Sequence, residues 1–186
     1  MLIRDAQREV RRVYQGGLAG QAISGFLWLG SAIAAQWGTP KLAMLILVLG
    51  GFAIYPVISM VLKASGRPAS LSANNPFRLL AIQVAFVLPL SMPLLAPVAA
   101  YRLDWFYPAM MILLGAHYLP FATLYGMRSF LALAATLIIS GMVIALYLPY
   151  GFAIGGWVTS TVLFVFAGIG FIEARRSAAA EAQRQP

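Results

Sequence analysis

The sequence predicts an all-α membrane protein, a polytopic bundle of six transmembrane helices. Of its 186 residues, 61% are hydrophobic and only 10% are charged, whereas soluble domains have roughly 25% charged residues and less than about 50% apolar ones. The apolar residues form long blocks, and the basic residues lie between these blocks. A chain of this composition has too little polar surface to cover a soluble particle, which indicates lipid as its solvent.

Six apolar segments have the length of a spanning helix, about 20 residues for roughly 30 Å of hydrocarbon. The predicted spanning helices are residues 16–36, 42–62, 77–99, 105–125, 129–148 and 151–172. We therefore expect one transmembrane domain over residues 16–173. A cytoplasmic amphipathic segment precedes it at residues 1–15, and a flexible cytoplasmic tail follows at residues 174–186.

The distribution of basic residues predicts the orientation of the chain. With the N-terminus in the cytoplasm, Lys41 and Arg102 are the only two of the 13 Lys and Arg on the opposite side. Such a bias is typical of a bacterial inner-membrane protein with both termini in the cytoplasm. The net charge of +8 is thereby explained without nucleic acid as a partner. An aromatic belt is expected at the outer interface, formed by Trp37, Tyr101, Trp105, Tyr107, Tyr147 and Tyr150.

The first 15 residues have the pattern of a short amphipathic helix. Ile3, Ala6, Val10 and Val13 recur at helical spacing, and arginines occupy the rest of the helix surface. One interpretation is a helix lying on the anionic inner leaflet. The other is a solvated, charged tail that only obeys the positive-inside bias.

The longest polar stretch, residues 64–75, is the predicted cytoplasmic loop between the second and third helices. Asn74 or Asn75, just before Pro76, is expected to cap the third helix. Four arginines on the cytoplasmic side are candidates for contact with anionic lipid headgroups or a protein partner. They are Arg11, Arg12, Arg67 and Arg78.

Prolines interrupt three of the predicted helices. Pro89, Pro93 and Pro97 recur at four-residue spacing in the third helix, and Pro56 and Pro120 lie inside the second and fourth. Each proline removes a helical hydrogen bond and clashes with the preceding turn. The result is either a packing kink or a broken helix whose carbonyls can bind a ligand.

Several kinds of chemistry are disfavoured by the residues that the helices lack. No Asp, Glu, Lys or Arg lies in the interior of a predicted helix, and the chain has no cysteine and a single histidine, His117. Proton-coupled carriers usually need an intramembrane ionisable group, and paired-carboxylate catalysis needs two. One histidine without carboxylate or thiolate companions does not make a metal site. We expect no catalytic residue, metal or cofactor.

Polar side chains of five helices fall at a similar depth, roughly 8–13 Å from the cytoplasmic helix ends at about 1.5 Å per residue. They are Gln21, Tyr55, Gln83, His117 and Thr136, and Tyr118 follows His117. Since each is costly to expose to lipid, we expect them to face inward. They form either an interhelical hydrogen-bonded layer or the lining of a pocket that opens to the cytoplasm and binds a ligand.

Short motifs over residues 10–130 are shared with a known family. They are RVYQGG at 12–17, SGFLW at 24–28, TPK at 39–41, GGF at 50–52, GR at 66–67 with NP at 75–76, FYP at 106–108, YLPF at 118–121 and LYG at 124–126. On these motifs the chain resembles a family of uncharacterised bacterial integral membrane proteins, a domain of unknown function. The resemblance implies a six-helix membrane fold and brings no activity with it.

Three classes of function stay open. The leading hypothesis is a small binding or transport unit for an uncharged or amphiphilic solute, because polar side chains lie within helices that carry prolines but no buried charge. The alternative is a structural or partner-binding membrane subunit whose basic loops bind anionic lipid or a cytoplasmic protein. The third is a membrane-embedded enzyme with His117 as general base beside Tyr118 or Tyr125; we expect no enzyme activity.

Overall fold

The computed structural model describes residues 2–64, 66, 70–148 and 151–182. Within these ranges the secondary structure is helical throughout, with eight α-helices joined by short turns. They are α1 Ile3–Tyr14, α2 Leu18–Trp37, α3 Pro40–Ala64, α4 Arg78–Ser91, α5 Leu95–Tyr101, α6 Phe106–Tyr125, α7 Ser129–Tyr147 and α8 Ile154–Ala182. Six helical segments are long and apolar enough to cross a membrane, so the predicted fold class is confirmed.

The spanning segments are α2, α3, α4 with α5, α6, α7 and α8. A 3₁₀ turn at Met92–Leu94 separates α4 from α5 within the third span, where Pro89 and Pro93 lie four residues apart. Pro56 and Pro120, in contrast, lie inside the uninterrupted helices α3 and α6. The third span, which has prolines at four-residue spacing, is thus interrupted, whereas α3 and α6 continue through their interior prolines.

Two groups of helices pack together to form the bundle. In one group α2 packs between α3 and α8, and in the other α6 packs against α7 and α4. Contacts of α7 with α8 join the two groups. Buried aromatic side chains fill the interior between them, among them Trp28, Phe106, Tyr107 and Phe130.

Both described ends of the chain, residues 70–77 and the turn at 126–128 lie at one end of the bundle, which we call the basic end. The helix junctions near residues 38–39, 102–105 and 151–153 lie at the opposite end. Of the six predicted belt residues, Trp37, Tyr101 and Tyr147 are strongly exposed at that opposite end, and Trp105 is 36% exposed. Tyr107 is fully buried, so its predicted place in the belt is wrong. Tyr150 lies outside the described residues.

Backbone contact between two glycines holds α8 against the start of α2. A Cβ atom added to Gly16 would lie 2.5 Å from the carbonyl oxygen of Gly170, and one added to Gly170 would lie 2.8 Å from that of Gly16. Gly16 also has a φ of 66°, a conformation that costs residues with a side chain about 1–2 kcal/mol. Both positions therefore require glycine.

The N-terminal segment is a helix, as one of the two interpretations of its sequence predicts, but its apolar face packs on the protein. Ala6, Val10 and Val13 are each at most 2% exposed, because α1 lies against the C-terminal end of α6 and the 71–75 segment. Only Ile3, of the four apolar residues of the predicted stripe, is exposed. The apolar face is therefore not free to lie on lipid, and that part of the prediction is wrong.

Glu9 ties α1 to the loop before α4. Its carboxylate accepts hydrogen bonds from the Ser72 N–H at 2.6 Å, the Ser72 hydroxyl at 3.0 Å and the Asn75 side-chain amide at 2.9 Å. These bonds, above all that from the Ser72 N–H, hold the pKa of Glu9 below its ordinary value. Asn75 Oδ1 accepts a bond from the Phe77 N–H at 2.9 Å, in the turn before α4. The N-cap residue of α4 is Phe77, without a side-chain capping bond, so the predicted cap by Asn74 or Asn75 is wrong.

The helix α8 runs without interruption to Ala182. The predicted boundary at residue 174 is therefore not the end of a structural element, and the expected flexible tail is helical as far as residue 182. Residues 183–186 lie outside the described part of the chain.

Replacing Gly170 with alanine should destabilise the bundle, because the new Cβ meets the backbone of Gly16. Overpacking of this kind costs about 1–3 kcal/mol. The measurement is the temperature at which purified protein in one detergent loses its monodisperse gel-filtration peak. Gly168→Ala is the matched control, since a Cβ there has no neighbour within 4 Å. Equal transition temperatures for the two variants would contradict the glycine contact.

Candidate functional site

Four tyrosines from three helices approach one another in the half of the bundle next to the basic end. Tyr14 of α1 lies within electrostatic range of Tyr55 of α3 and of Tyr125 of α6, and Tyr125 lies within range of Tyr118. We call these four residues the tyrosine cluster. The sequence predicted Tyr55 and Tyr118 as ligand-binding residues. It did not predict Tyr14, because Tyr14 lies outside the predicted spanning helices.

Tyr55 occupies a break in the buried face of α3. Gly51 and Leu62 are buried on nearly the same side of this helix, since 11 residues make about three turns. Tyr55, one turn after Gly51, is nevertheless 52% exposed. A Cβ on Gly51 would touch the side chain of Met92 at the junction of α4 and α5, so α3 approaches that span there. Beyond this contact α3 packs mainly on α2, and none of residues 52–61 is buried. The prediction that Tyr55 faces inward is therefore wrong. We call this interruption of the buried face, between Gly51 and Leu62, the gap beside Tyr55.

The hydroxyl groups of the cluster lack protein partners. In the described part of the chain, none of the four makes a hydrogen bond, and none is among the fully enclosed side-chain atoms that lack one. Those enclosed atoms belong to Gln21, His117 and Thr159. Tyr118 and Tyr125 are 6% and 5% exposed, and Tyr55 is 52% exposed. Since buried polar groups normally find a partner, these hydroxyls are the polar groups of this region that a ligand can bond.

His117 lies beside the cluster, in contact with Tyr118 as the sequence order suggested. Its ring centroid lies 5.7 Å from that of Tyr118 and 5.1 Å from that of Phe121. Its Nδ1 atom is enclosed and has no hydrogen-bond partner among the described residues. Those residues also contain no group of three His, Cys, Asp or Glu that could hold a metal ion. His117 is thus a neighbour of the tyrosines, surrounded mainly by aromatic rings.

The remaining residues of the predicted polar layer do not join the cluster. Gln21 is buried beside Gly17 and Gly170, and the Thr136 hydroxyl donates to the Ala132 carbonyl of its own helix at 2.8 Å. Gln83 is exposed, so the prediction that it faces inward is wrong. The buried face of α4 is set by Val84 and Leu88, and Gln83 lies about 100° from Val84 around the helix.

The candidate arginines have different environments. Arg11 donates to the carbonyl oxygen of Tyr125 at 2.7 Å, close to the C-terminal end of α6, where a cation is favoured. Arg12 and Arg78 are exposed at the basic end. Arg67 lies outside the described residues.

A second polar contact, at the opposite end, joins three helices. The Ser31 hydroxyl of α2 donates to the Ala43 carbonyl of α3 at 2.8 Å, and the Tyr107 hydroxyl of α6 lies 2.6 Å from the Ser31 oxygen. Because Ser31 has a single hydroxyl hydrogen, Tyr107 is the donor in the second bond. Both side chains are fully buried. Sequence reasoning missed this contact, since a serine and a tyrosine 76 residues apart give no local signal.

Replacing Tyr107 with phenylalanine should lower the thermal stability by a small amount. It removes one buried interhelical hydrogen bond, worth about 0.6–1.5 kcal/mol, and leaves the packing of the ring in place. Tyr147→Phe is the control, because Tyr147 is exposed. Thermal unfolding of both variants in the same detergent is the measurement; an equal change in both would show that the Tyr107 hydroxyl does not stabilise the bundle.

No curated protein and no solved structure matches the chain. A family of unknown function, DUF7010, matches residues 3–173, from the start of α1 to the membrane-spanning part of α8. The matched residues include the whole tyrosine cluster and the Ser31–Tyr107 contact. The chain therefore belongs to the family of unknown function DUF7010, in agreement with its short motifs.

Proposed function

We propose that the protein is a binding or transport unit for an uncharged or amphiphilic solute, whose polar group is bound by the tyrosine cluster. The observation that supports this proposal is the set of tyrosine hydroxyls without protein partners beside a gap in the buried face of α3. In an apolar surrounding, an unmade hydrogen bond costs about 1–3 kcal/mol. A solute that satisfies several hydroxyls at once recovers that free energy.

The chemistry of the cluster favours a neutral hydrogen-bonding group. A tyrosine hydroxyl donates and accepts. The Glu9 carboxylate, which also lies within electrostatic range of Tyr14, is bonded to Ser72 and Asn75, and the Arg11 guanidinium is bonded to the Tyr125 carbonyl. The gap beside Tyr55 is flanked by α3 and α4, which expose apolar side chains such as Phe52 and Phe86. An apolar chain attached to the polar group can lie along these helices within the bilayer.

The solute enters from the basic end in this proposal. The excess of basic residues at that end favours its placement in the cytoplasm, in the inner membrane of a bacterial cell. The Ser31–Tyr107 contact, which joins α2, α3 and α6, lies at the opposite end. Its two direct hydrogen bonds satisfy both hydroxyls of the contact, whereas Thr159, which is near this end, is enclosed.

An enzymatic role receives less support. The ring neighbours of His117 are Tyr118 and Phe121, and a histidine general base needs a reacting group within hydrogen-bond reach and usually an orienting partner. We therefore propose that the protein is not an enzyme.

Mass spectrometry of protein extracted gently from its native membrane tests the binding proposal. We expect a defined amphiphile at a constant molar ratio in the unmodified protein. In the triple variant Tyr14→Phe, Tyr55→Phe, Tyr125→Phe, the ratio should fall by about tenfold or more, because each lost hydrogen bond is worth about 1 kcal/mol. The control is the double variant Tyr101→Phe, Tyr147→Phe, whose tyrosines are exposed outside the cluster.

Two outcomes would contradict the proposal. One is retention of the amphiphile in the triple variant. The other is recovery of bulk phospholipid only, together with a stoichiometric protein partner. The second result would favour the structural or partner-binding subunit, with exposed arginines such as Arg12 and Arg78 as its contact surface.

A further inference from the structure

The helix α1 covers the tyrosine cluster at the basic end and also contributes one of its hydroxyls. Tyr14, the last residue of α1, lies within range of both Tyr55 and Tyr125. From there α1 runs across the end of α6 to the 71–75 segment. Arg11 of α1 donates to the carbonyl of Tyr125, whose side chain is 5% exposed, so α1 lies over the Tyr125 side of the cluster.

We propose that α1 is a hinged cap that controls aqueous access to the tyrosine cluster, held closed by Glu9. This inference rests on the proposed function for its biological meaning, but the movement of α1 can be measured without any solute.

The hinge is the segment between α1 and α2. Gln15, Gly16 and Gly17 have φ values of 53°, 66° and 91°, so three consecutive residues adopt the left-handed region. Such a run ends α1 and turns the chain sharply into α2. The close contact of Gly16 with Gly170 fixes the far side of this turn to α8. A change of backbone angle at Gln15 therefore moves α1 and leaves α2 in place.

Some of the closing contacts are exposed to water, whereas those of Arg11 with the Tyr125 carbonyl and of Asn75 are buried or partly buried. Besides the three bonds to Glu9, the Gln7 side chain donates to the Thr123 carbonyl at 2.8 Å, and the Asn75 amide donates to the Ala6 carbonyl at 3.2 Å. The bonds of Gln7 and Ser72 are exposed, so water can replace them at small cost. The apolar contact is also small, since it comprises Ala6, Val10 and Val13. Local opening at low free energy is typical of such segments.

The same contacts link the cap to the gap beside Tyr55. The Asn75 side-chain NH₂ group donates hydrogen bonds to the Glu9 carboxylate and to the Ala6 carbonyl. Its side-chain oxygen accepts a hydrogen bond from the Phe77 N–H. Phe77 directly precedes α4, which flanks the gap. Opening of α1 therefore removes the Tyr14 hydroxyl from the cluster and releases the start of α4 at the same time.

Thiol labelling tests the cap, because the chain has no cysteine of its own. Val10→Cys reports on α1, since Val10 is 1% exposed on its packed face. Tyr125→Cys, introduced separately, reports on access to the cluster. Each cysteine variant is reacted in membranes with a water-soluble maleimide. Its labelling rate is divided by the labelling rate of the same variant unfolded in detergent, which removes differences in intrinsic thiol reactivity.

Two different substitutions should open the cap. Glu9→Gln removes the carboxylate charge that strengthens the bonds from Ser72 and Asn75. Asn75→Asp keeps an oxygen for the Phe77 N–H but places a second carboxylate against Glu9. Both should raise the labelling rates at positions 10 and 125 by about tenfold or more, the effect of losing one charge-assisted hydrogen bond. The controls are Asp5→Asn on the same helix and the adjacent Asn74→Asp, which should leave both rates unchanged.

The outcomes separate the cap from the proposed function. Unchanged labelling at position 10 in both variants, each folded by gel filtration, would show that α1 is a fixed part of the bundle and overturn the proposal. Faster labelling at position 10 without a change at position 125 would show that α1 moves but does not cover the cluster, which also overturns it. Labelling uses no solute, so a failed search for a bound amphiphile would refute the proposed function and leave the cap intact.

Discussion

The backbone contact between Gly16 and Gly170 is the constraint on which the arrangement of the basic end depends. With no side chain at either position, the turn between α1 and α2 contacts α8 through its backbone. This contact fixes the position of the C-terminal end of α1. The direction of α1 then follows from the left-handed residues at 15–17. Both the burial of its apolar face and the position of Tyr14 beside Tyr55 and Tyr125 are consequences of that turn.

The two ends of the bundle satisfy their polar groups differently. At the opposite end, Ser31 and Tyr107 form a complete set of hydrogen bonds to Ala43 across three helices. In the half next to the basic end, the polar atoms of His117 and Gln21 are enclosed without partners among the described residues. Hydrogen bonding within the membrane makes contacts specific as well as stable. The end with the Ser31–Tyr107 contact also contains the enclosed Thr159 hydroxyl, so the difference between the ends lies in the interhelical bonds that are made, not in the absence of unpaired groups.

The sequence was sufficient for the spanning helices, because lipid imposes a length and a composition that can be read from a single segment. It was insufficient for rotation about each helix axis. Tyr55 and Gln83 both had the pattern of inward polar residues, and only the packing of α3 on α2 and of α4 on α6 decides that both are exposed. Tyr107 was misplaced for the same reason, since a tyrosine near a helix end fits an aromatic belt and a buried contact equally well. The docking of α1 depends on Ser72 and Asn75, more than 60 residues away, and no local pattern predicts it.

The length of α8 has a consequence outside the membrane. Its 29 residues extend about 44 Å at 1.5 Å per residue, whereas the hydrocarbon layer is about 30 Å thick. The Ser129 hydroxyl donates to the Glu173 carboxylate at 2.6 Å where α7 begins, and Ala174 still lies against Gly16. The eight residues after Ala174 extend α8 by about 12 Å at the basic end. Arg175 and Arg176, the first two of them, are exposed, so the rigidity of the helix fixes the height of two positive charges relative to the bundle.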